Sequence, residues 1–207
     1  MDDRITRDSF KKSSHNLRQV AQDHGTLEKD LTLPAVFQQA GPWIALAEKI
    51  IQSARIELDK KDAKPVGTDL RQCSQTCREK SELLELVFGY VATAEAPARR
   101  KTYAEAVAQD KERAVELVLG RILGAIADAI KSGSLVASDS QNAELGDALK
   151  KLSGMAAKNS EGGPGINFYG IGDQITNLAD GKISVGKDHA VLYIGDNVNV
   201  GVAPSKP

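Results

Sequence analysis

The sequence predicts a mainly α protein, an antiparallel helical bundle with a C-terminal β-patterned tail, and three observations carry that prediction. Apolar residues recur at steps of three and four through most of residues 33–158, the spacing that lines one face of a helix. From Gly162 the period falls to two, as in Val198-Asn199-Val200-Gly201-Val202, which is strand patterning. Glycine marks the same boundary, with nine of the 18 glycines lying from Gly162 onward. The chain therefore divides into a polar N-terminal extension (1–32), a helical bundle (33–158) and a Gly-rich β-strand tail (159–207).

Within residues 1–32 the apolar points are Phe10, Leu17, Val20, Leu27 and Leu31, enough only for a weak amphipathic helix over Ser9 to His24, ended near Gly25. Leu33-Pro34 opens a stronger helix, because proline is tolerated in a first turn. Trp43, Leu46, Ala47, Ile50, Ala54 and Leu58 lie on one face of it, and the stretch from Lys60 to Gly67 ends it. Thr68 or Asp69 is placed to cap the next helix. Its stripe is Cys73, Cys77, Leu83, Leu84, Val87, Phe88 and Val91, and its wet face Arg78, Glu79, Lys80 and Glu82. Beyond Pro97, Arg99 to Ala108 forms a short helix carrying Tyr103 and Val107. From Asp110 a long one carries Val115, Leu119, Ile122, Leu123, Ile126 and Ile130 and stops at Ser132-Gly133-Ser134. A last helix spans Asn142 to Ala157 with Leu145, Ala148, Leu149 and Leu152 inward.

Composition excludes several function classes. The charges, 27 Lys+Arg against 28 Asp+Glu, leave a net −1, so a globally basic nucleic-acid binder is ruled out. Aromatics are 4% of the chain, too few for a stacking platform. The N-terminus has no apolar segment behind its charges and so no secretory signal. The most apolar run, Val115 to Ile130, is interrupted by Glu116, Arg121 and Asp128, so no membrane span is expected. The expected location is cytoplasmic, with membrane association only on activation.

The motifs yield no chemistry. Cys73 and Cys77, one helical turn apart, read as buried or half-buried thiols, and His15, His24 and His189 are too scattered for a zinc site, which needs about four ligands. Gly181 to Lys187 has the spacing of a phosphate loop, but Asp188 stands where a hydroxyl should hold magnesium, and strand patterning flanks it on both sides. Gly120 and Gly124 form a GxxxG that lets a neighbouring helix pack close. Glu82 with Glu85 reads as a solvated pair, and Arg99-Arg100-Lys101 reads as a solvated helix start, with contact to acidic lipid or a partner as the alternative. The chain is expected to be no enzyme and to need no cofactor or metal.

The tail contains an internal echo. Ile171-Gly172-Asp173-Gln174-Ile175 recurs as Ile194-Gly195-Asp196-Asn197-Val198, each copy closely preceded by a tyrosine, Tyr169 or Tyr193. These ten residues are the candidate interaction site, through which the tail would pair with a partner or a second copy. Three states are open to it: an ordered β appendage, in-register cross-β stacking favoured by alternating Val/Ile and Asn/Gln ladders, or a disordered extension.

One series of segments is familiar: Leu33-Pro34-Ala35-Val36-Phe37, Trp43 to Ala54, Cys77 to Phe88 with its C-x-E-K-x-x-x-L-x-x-x-F spacing, Tyr103 to Val107, and Arg113-Ala114-Val115-Glu116-Leu117-Val118 with Ile122-Leu123. In that order they resemble the SesA-like domain at the N-terminus of fungal NACHT and other P-loop NTPases of the NOD-like receptor type, over roughly residues 30 to 131. The resemblance implies a non-enzymatic signalling or effector module of fungal nonself recognition and programmed cell death. Its implied partner is a NOD-like receptor NTPase, and the tail would mediate homo-oligomer or partner assembly. The second reading is a membrane-perturbing helical effector activated by tail oligomerisation. The chain departs from the family pattern at Met1 to Asp30, which is polar where an apolar first helix is usual, so membrane insertion by that segment is not expected.

Overall fold

In the computed structural model of the chain, residues 2–60, 66–159, 165–169, 173–178 and 182–186 are described. Six α-helices run through them: α1 (Asp2–Leu27), α2 (Ala35–Leu58), α3 (Thr68–Thr93), α4 (Arg99–Gln109), α5 (Val115–Lys131) and α6 (Asp139–Asn159). Short 3-10 turns, Ala96–Ala98 and Lys111–Arg113, precede α4 and α5. The fold class is mainly α, a helical bundle.

The helix ends follow local chemistry. Pro34 stands just outside α2 rather than within its first turn, and its carbonyl accepts from the Phe37 amide at 2.9 Å. Gly67, not Thr68 or Asp69, takes the cap position of α3, which leaves the Asp69 carboxylate in the first turn, where it complements the positive end of the helix dipole. Helix α5 ends on a Schellman motif: the Ser134 amide reaches Ala129 O at 2.8 Å and the Gly133 amide reaches Ile130 O at 3.0 Å. Gly133 has φ +75°, the left-handed conformation that glycine adopts without steric penalty. Helix α6 begins at Asp139, ahead of the expected Asn142, because Ser138 and Gln141 form a reciprocal capping box. The Gln141 amide donates to Ser138 Oγ at 3.2 Å, and the Ser138 amide to Gln141 Oε1 at 2.9 Å.

Four helices form the sides of the bundle. Helix α1 packs against α2 and α3, and α5 packs against the same two from the opposite side, so α1 and α5 lie across one diagonal. Helices α2 and α3 meet side chain to side chain through the centre, where the Phe37 and Phe88 rings lie 5.0 Å apart. Helix α4 covers α3, and α6 covers α5 and α2. Phe10, Phe37, Phe88, Ile44, Ile50, Leu84, Leu119 and Ile122 are fully buried in this one core.

Residues 1–32 are therefore no extension. They supply one full side of the bundle, as a helix far longer than Ser9 to His24, and Phe10, Leu17, Val20 and Leu27 are each fully buried. The inward face escapes a hydrophobic reading because Thr6, Ser9, Ser13, Ser14 and Asn16 occupy it as well. Small polar side chains can be buried where hydrogen-bond partners are supplied.

Two glycine positions have opposite character. At Gly120 and Gly124 an added Cβ would meet no atom within 4 Å, so this pair is not the seat of a close helix approach. At Gly41 a Cβ would stand 2.8 Å from His24 Cε1, and His24 is itself buried beside Phe88, with ring centroids 6.3 Å apart. The α1–α2 contact at this level depends on a bare Cα. Gly41→Ala is expected to destabilise the fold by about 1–3 kcal/mol, the usual effect of overpacking. In a His24→Ala background the same change becomes neutral or stabilising, since alanine has the better helix propensity by about 1 kcal/mol. A double-mutant cycle by urea denaturation checks this, and additive effects would show that the two residues do not press on each other.

The described backbone of the tail holds three strands, β1 (Gly165–Tyr169), β2 (Asp173–Leu178) and β3 (Lys182–Gly186), paired antiparallel in the order β1-β2-β3. Asn167 stands opposite Ile175, and Ile175 opposite Val185.

Candidate functional site

The polar residues of the bundle converge on two seams, and the first runs along α1. Lys12 Nζ reaches Glu82 Oε1 on α3 at 2.7 Å, and Arg78 approaches the same oxygen at 3.4 Å. Lys12 first and Arg78 second hold the Glu82 carboxyl below its ordinary range. With its amide nitrogen facing acceptors, the buried Asn16 donates to Glu85 Oε2 at 3.1 Å and to the Lys12 carbonyl at 3.2 Å. Towards α2, Ser14 Oγ and Arg18 Nε both donate to Glu48 Oε1, at 2.9 and 3.0 Å. Glu82 and Glu85 are thus docking groups for α1 rather than a solvated pair.

The second seam ties the ends of α1, α3, α4 and α5 together. The Asp30 carboxylate accepts from the Thr32 hydroxyl at 2.6 Å and the Thr32 amide at 3.1 Å, and Arg99 Nη1 lies 3.3 Å from its other oxygen. The Thr32 hydroxyl, then its amide and finally Arg99 hold Asp30 below the usual carboxylate range. Arg99 also donates to the Ala94 carbonyl, so this member of the basic triplet fastens the α1–α2 loop to the α3–α4 corner. Lys101 pairs loosely with Glu105 at 3.7 Å, and Arg100 is exposed. Further in, the Tyr103 hydroxyl accepts from the Val115 amide at 3.2 Å, satisfying a donor that the start of α5 would otherwise leave orphaned. Burial and then the nearby Glu116 charge push the Tyr103 phenol well above its ordinary value. Glu112, on the turn before α5, reaches both Lys80 of α3 and Arg121 of α5.

These groups clamp helices to one another. Cys73 and Cys77 are buried free thiols with sulfurs 4.0 Å apart. The contact with Cys73 and burial together raise the Cys77 thiol well above its ordinary value, which keeps it protonated and a poor nucleophile or metal ligand. Among the described residues no group of three His, Cys, Asp or Glu side chains could hold a metal ion, and no helix is long and apolar enough to cross a membrane.

The expected interaction residues divide at the limits of the described backbone. Asp173, Gln174 and Ile175 form the start of β2, the central strand, with Gln174 opposite Phe168 on one side and Gly186 on the other. Ile171, Gly172 and the whole second copy, Ile194, Gly195, Asp196, Asn197 and Val198, lie outside the described residues. Lys182 to Gly186, within the phosphate-loop spacing, is strand β3.

What α1 to α6 define is an all-α bundle domain in which buried polar groups join helix to helix. The chain belongs to the SesA family, the N-terminal domain on NACHT_NTPase and P-loop NTPases, whose model matches residues 14–128, more than half of the chain. The match begins inside α1 and ends inside α5. No curated protein and no solved structure matches the chain.

Proposed function

We propose that this chain is a non-enzymatic signalling or effector module of the kind that acts in fungal nonself recognition and programmed cell death. The bundle is the interaction or effector part, and the tail pairs with a partner or a second copy by strand addition. One observation carries the reading: the family match over residues 14–128 to a domain that stands at the N-terminus of NACHT and P-loop NTPases. A protein of that NTPase class is accordingly the partner. The tail's part rests on its period-two alternation and on the repeated Ile-Gly-Asp segment.

Strand addition requires a formed sheet with alternating apolar side chains, so charges placed in the central strand β2 and in the second Ile-Gly-Asp copy should abolish it. The full chain is expected to sediment as assemblies. The Ile175→Asp, Val198→Asp double variant should stay monomeric, with its helical circular dichroism and melting temperature unchanged. Equal assembly of the two proteins, or none by either, would remove the tail from the mechanism. Leakage of anionic liposomes by the full chain, lost in the same variant, would move the reading to a membrane-perturbing effector switched on by oligomerisation.

A further inference from the structure

Between the N-terminal half of α1 and the C-terminal end of α2 lies an open cleft of about 640 Å³. Four cations line it, Arg4, Arg7 and Lys11 from successive turns of α1 and Arg55 from α2. Three carboxylates share the cleft, and none of them neutralises a cation closely. Asp3 accepts a hydrogen bond from the Val66 amide at 3.3 Å. Asp8 lies 3.8 Å from Arg4, and Asp59 lies 3.9 Å from Arg7, both beyond hydrogen-bond range and both pairs well exposed. The Arg7 Nε is buried without an acceptor. Among the described residues Lys11 and Arg55 make no side-chain hydrogen bond or ion pair. This differs from the seams described above, where each cation lies close to an acceptor.

We propose that this cleft binds a phosphate-bearing polyanion, whose oxygens are held by Arg4, Arg7, Lys11 and Arg55. A phosphate group carries about −1.5 to −2 charges at neutral pH and three strong acceptor oxygens. It therefore outcompetes the single, distant carboxylates of Asp8 and Asp59 for the guanidinium forks, which bind phosphate through paired hydrogen bonds. The cleft is large enough for several phosphates on one small scaffold, and the same chemistry is offered by a free polyphosphate or by a phosphorylated lipid headgroup.

The test uses the full chain with two probes, inositol hexakisphosphate by calorimetry and phosphatidylcholine vesicles with or without phosphatidylinositol bisphosphate by flotation. Lys11→Gln and Arg55→Gln should fold as the parent does, since neither side chain holds another part of the protein. Each is expected to weaken binding about tenfold, the loss of one charge-assisted hydrogen bond of roughly 1.4 kcal/mol. Arg100→Gln, an exposed cation at the α4 start, should leave binding unchanged. Binding of the soluble probe names a free polyphosphate as the source, and binding of the doped vesicles alone names a lipid headgroup. Absence of binding to both probes overturns the proposal, as does equal weakening by Arg100→Gln or none by Lys11→Gln and Arg55→Gln.

Discussion

Deleting residues 1–32 is expected to abolish cooperative folding of the bundle. Helix α1 forms one of its four sides, and Phe10, Leu17, Val20 and Leu27 bring four fully buried side chains to it. Each such side chain is worth about 1.5–3 kcal/mol in burial, so the four together contribute roughly 6–12 kcal/mol. The apolar faces of α2 and α3 that α1 covers would be uncovered as well. The total stability of a domain is only about 5–15 kcal/mol, so removal of one side consumes most or all of it. The deleted chain should show reduced helical circular dichroism, no sigmoidal urea transition and binding of a hydrophobic dye. A cooperative transition at the parent midpoint would mean that α1 is a removable appendage after all.

That prediction bears on what could be read from the amino-acid order. Trp43, Leu46, Ala47, Ile50, Ala54 and Leu58 are all buried on α2, and Val115, Leu119, Ile122, Leu123 and Ile126 on α5, as their spacing implies. Large apolar residues on a helical period advertise themselves because their burial needs no partner of a particular kind. Helix α1 is different. Asn16 and Ser14 can be buried only because Glu85 and Glu48 meet them, and those carboxylates lie far along the chain on other helices. No local pattern reports a partner on another helix. The same holds for Tyr103, whose hydroxyl serves an amide at the start of α5, and for Lys80 and Glu82, which look solvated on a helical wheel yet bridge to Glu112 and Lys12. The Ser138 to Gln141 capping box was legible locally, since Ser-x-x-Gln before an apolar run is a recognised start signal. The cation cleft was not, because Arg55 joins Arg4, Arg7 and Lys11 only when α2 packs beside α1.

The seams also constrain how the module can act. A bundle whose first helix is registered by Lys12–Glu82, Asn16–Glu85 and Ser14–Glu48 contacts holds that helix in one position, since sliding it would strand buried polar groups. Exposed ion pairs alone would not do this, being worth about 0–1 kcal/mol each. Signalling that left α1 in place would present the outer faces and the tail, whereas signalling that displaced it would have to offset the burial counted above.

The aromatic centre provides the second test. Phe37 is fully buried, 5.0 Å from the Phe88 ring across the diagonal of the bundle and 5.0 Å from Tyr103 in an edge-on arrangement. Phe37→Ala removes the ring that joins α2, α3 and α4, and the sites around it are helices that cannot collapse into the gap. The expected loss is about 3–5 kcal/mol, and a smaller one for Phe37→Leu, which gives up the ring contacts but keeps part of the volume. For a chain of this size each kcal/mol lowers the melting temperature by about 2–4 °C, so the alanine variant should melt roughly 6–20 °C below the parent. A second readout separates local loosening from global weakening. Tyr103 owes its raised phenol first to burial, so spectrophotometric titration of the folded alanine variant should show that phenol ionising nearer the ordinary value of 10.0. A melting shift below about 2 °C with an unmoved phenol would show that the aromatic contacts do not carry the centre of the bundle.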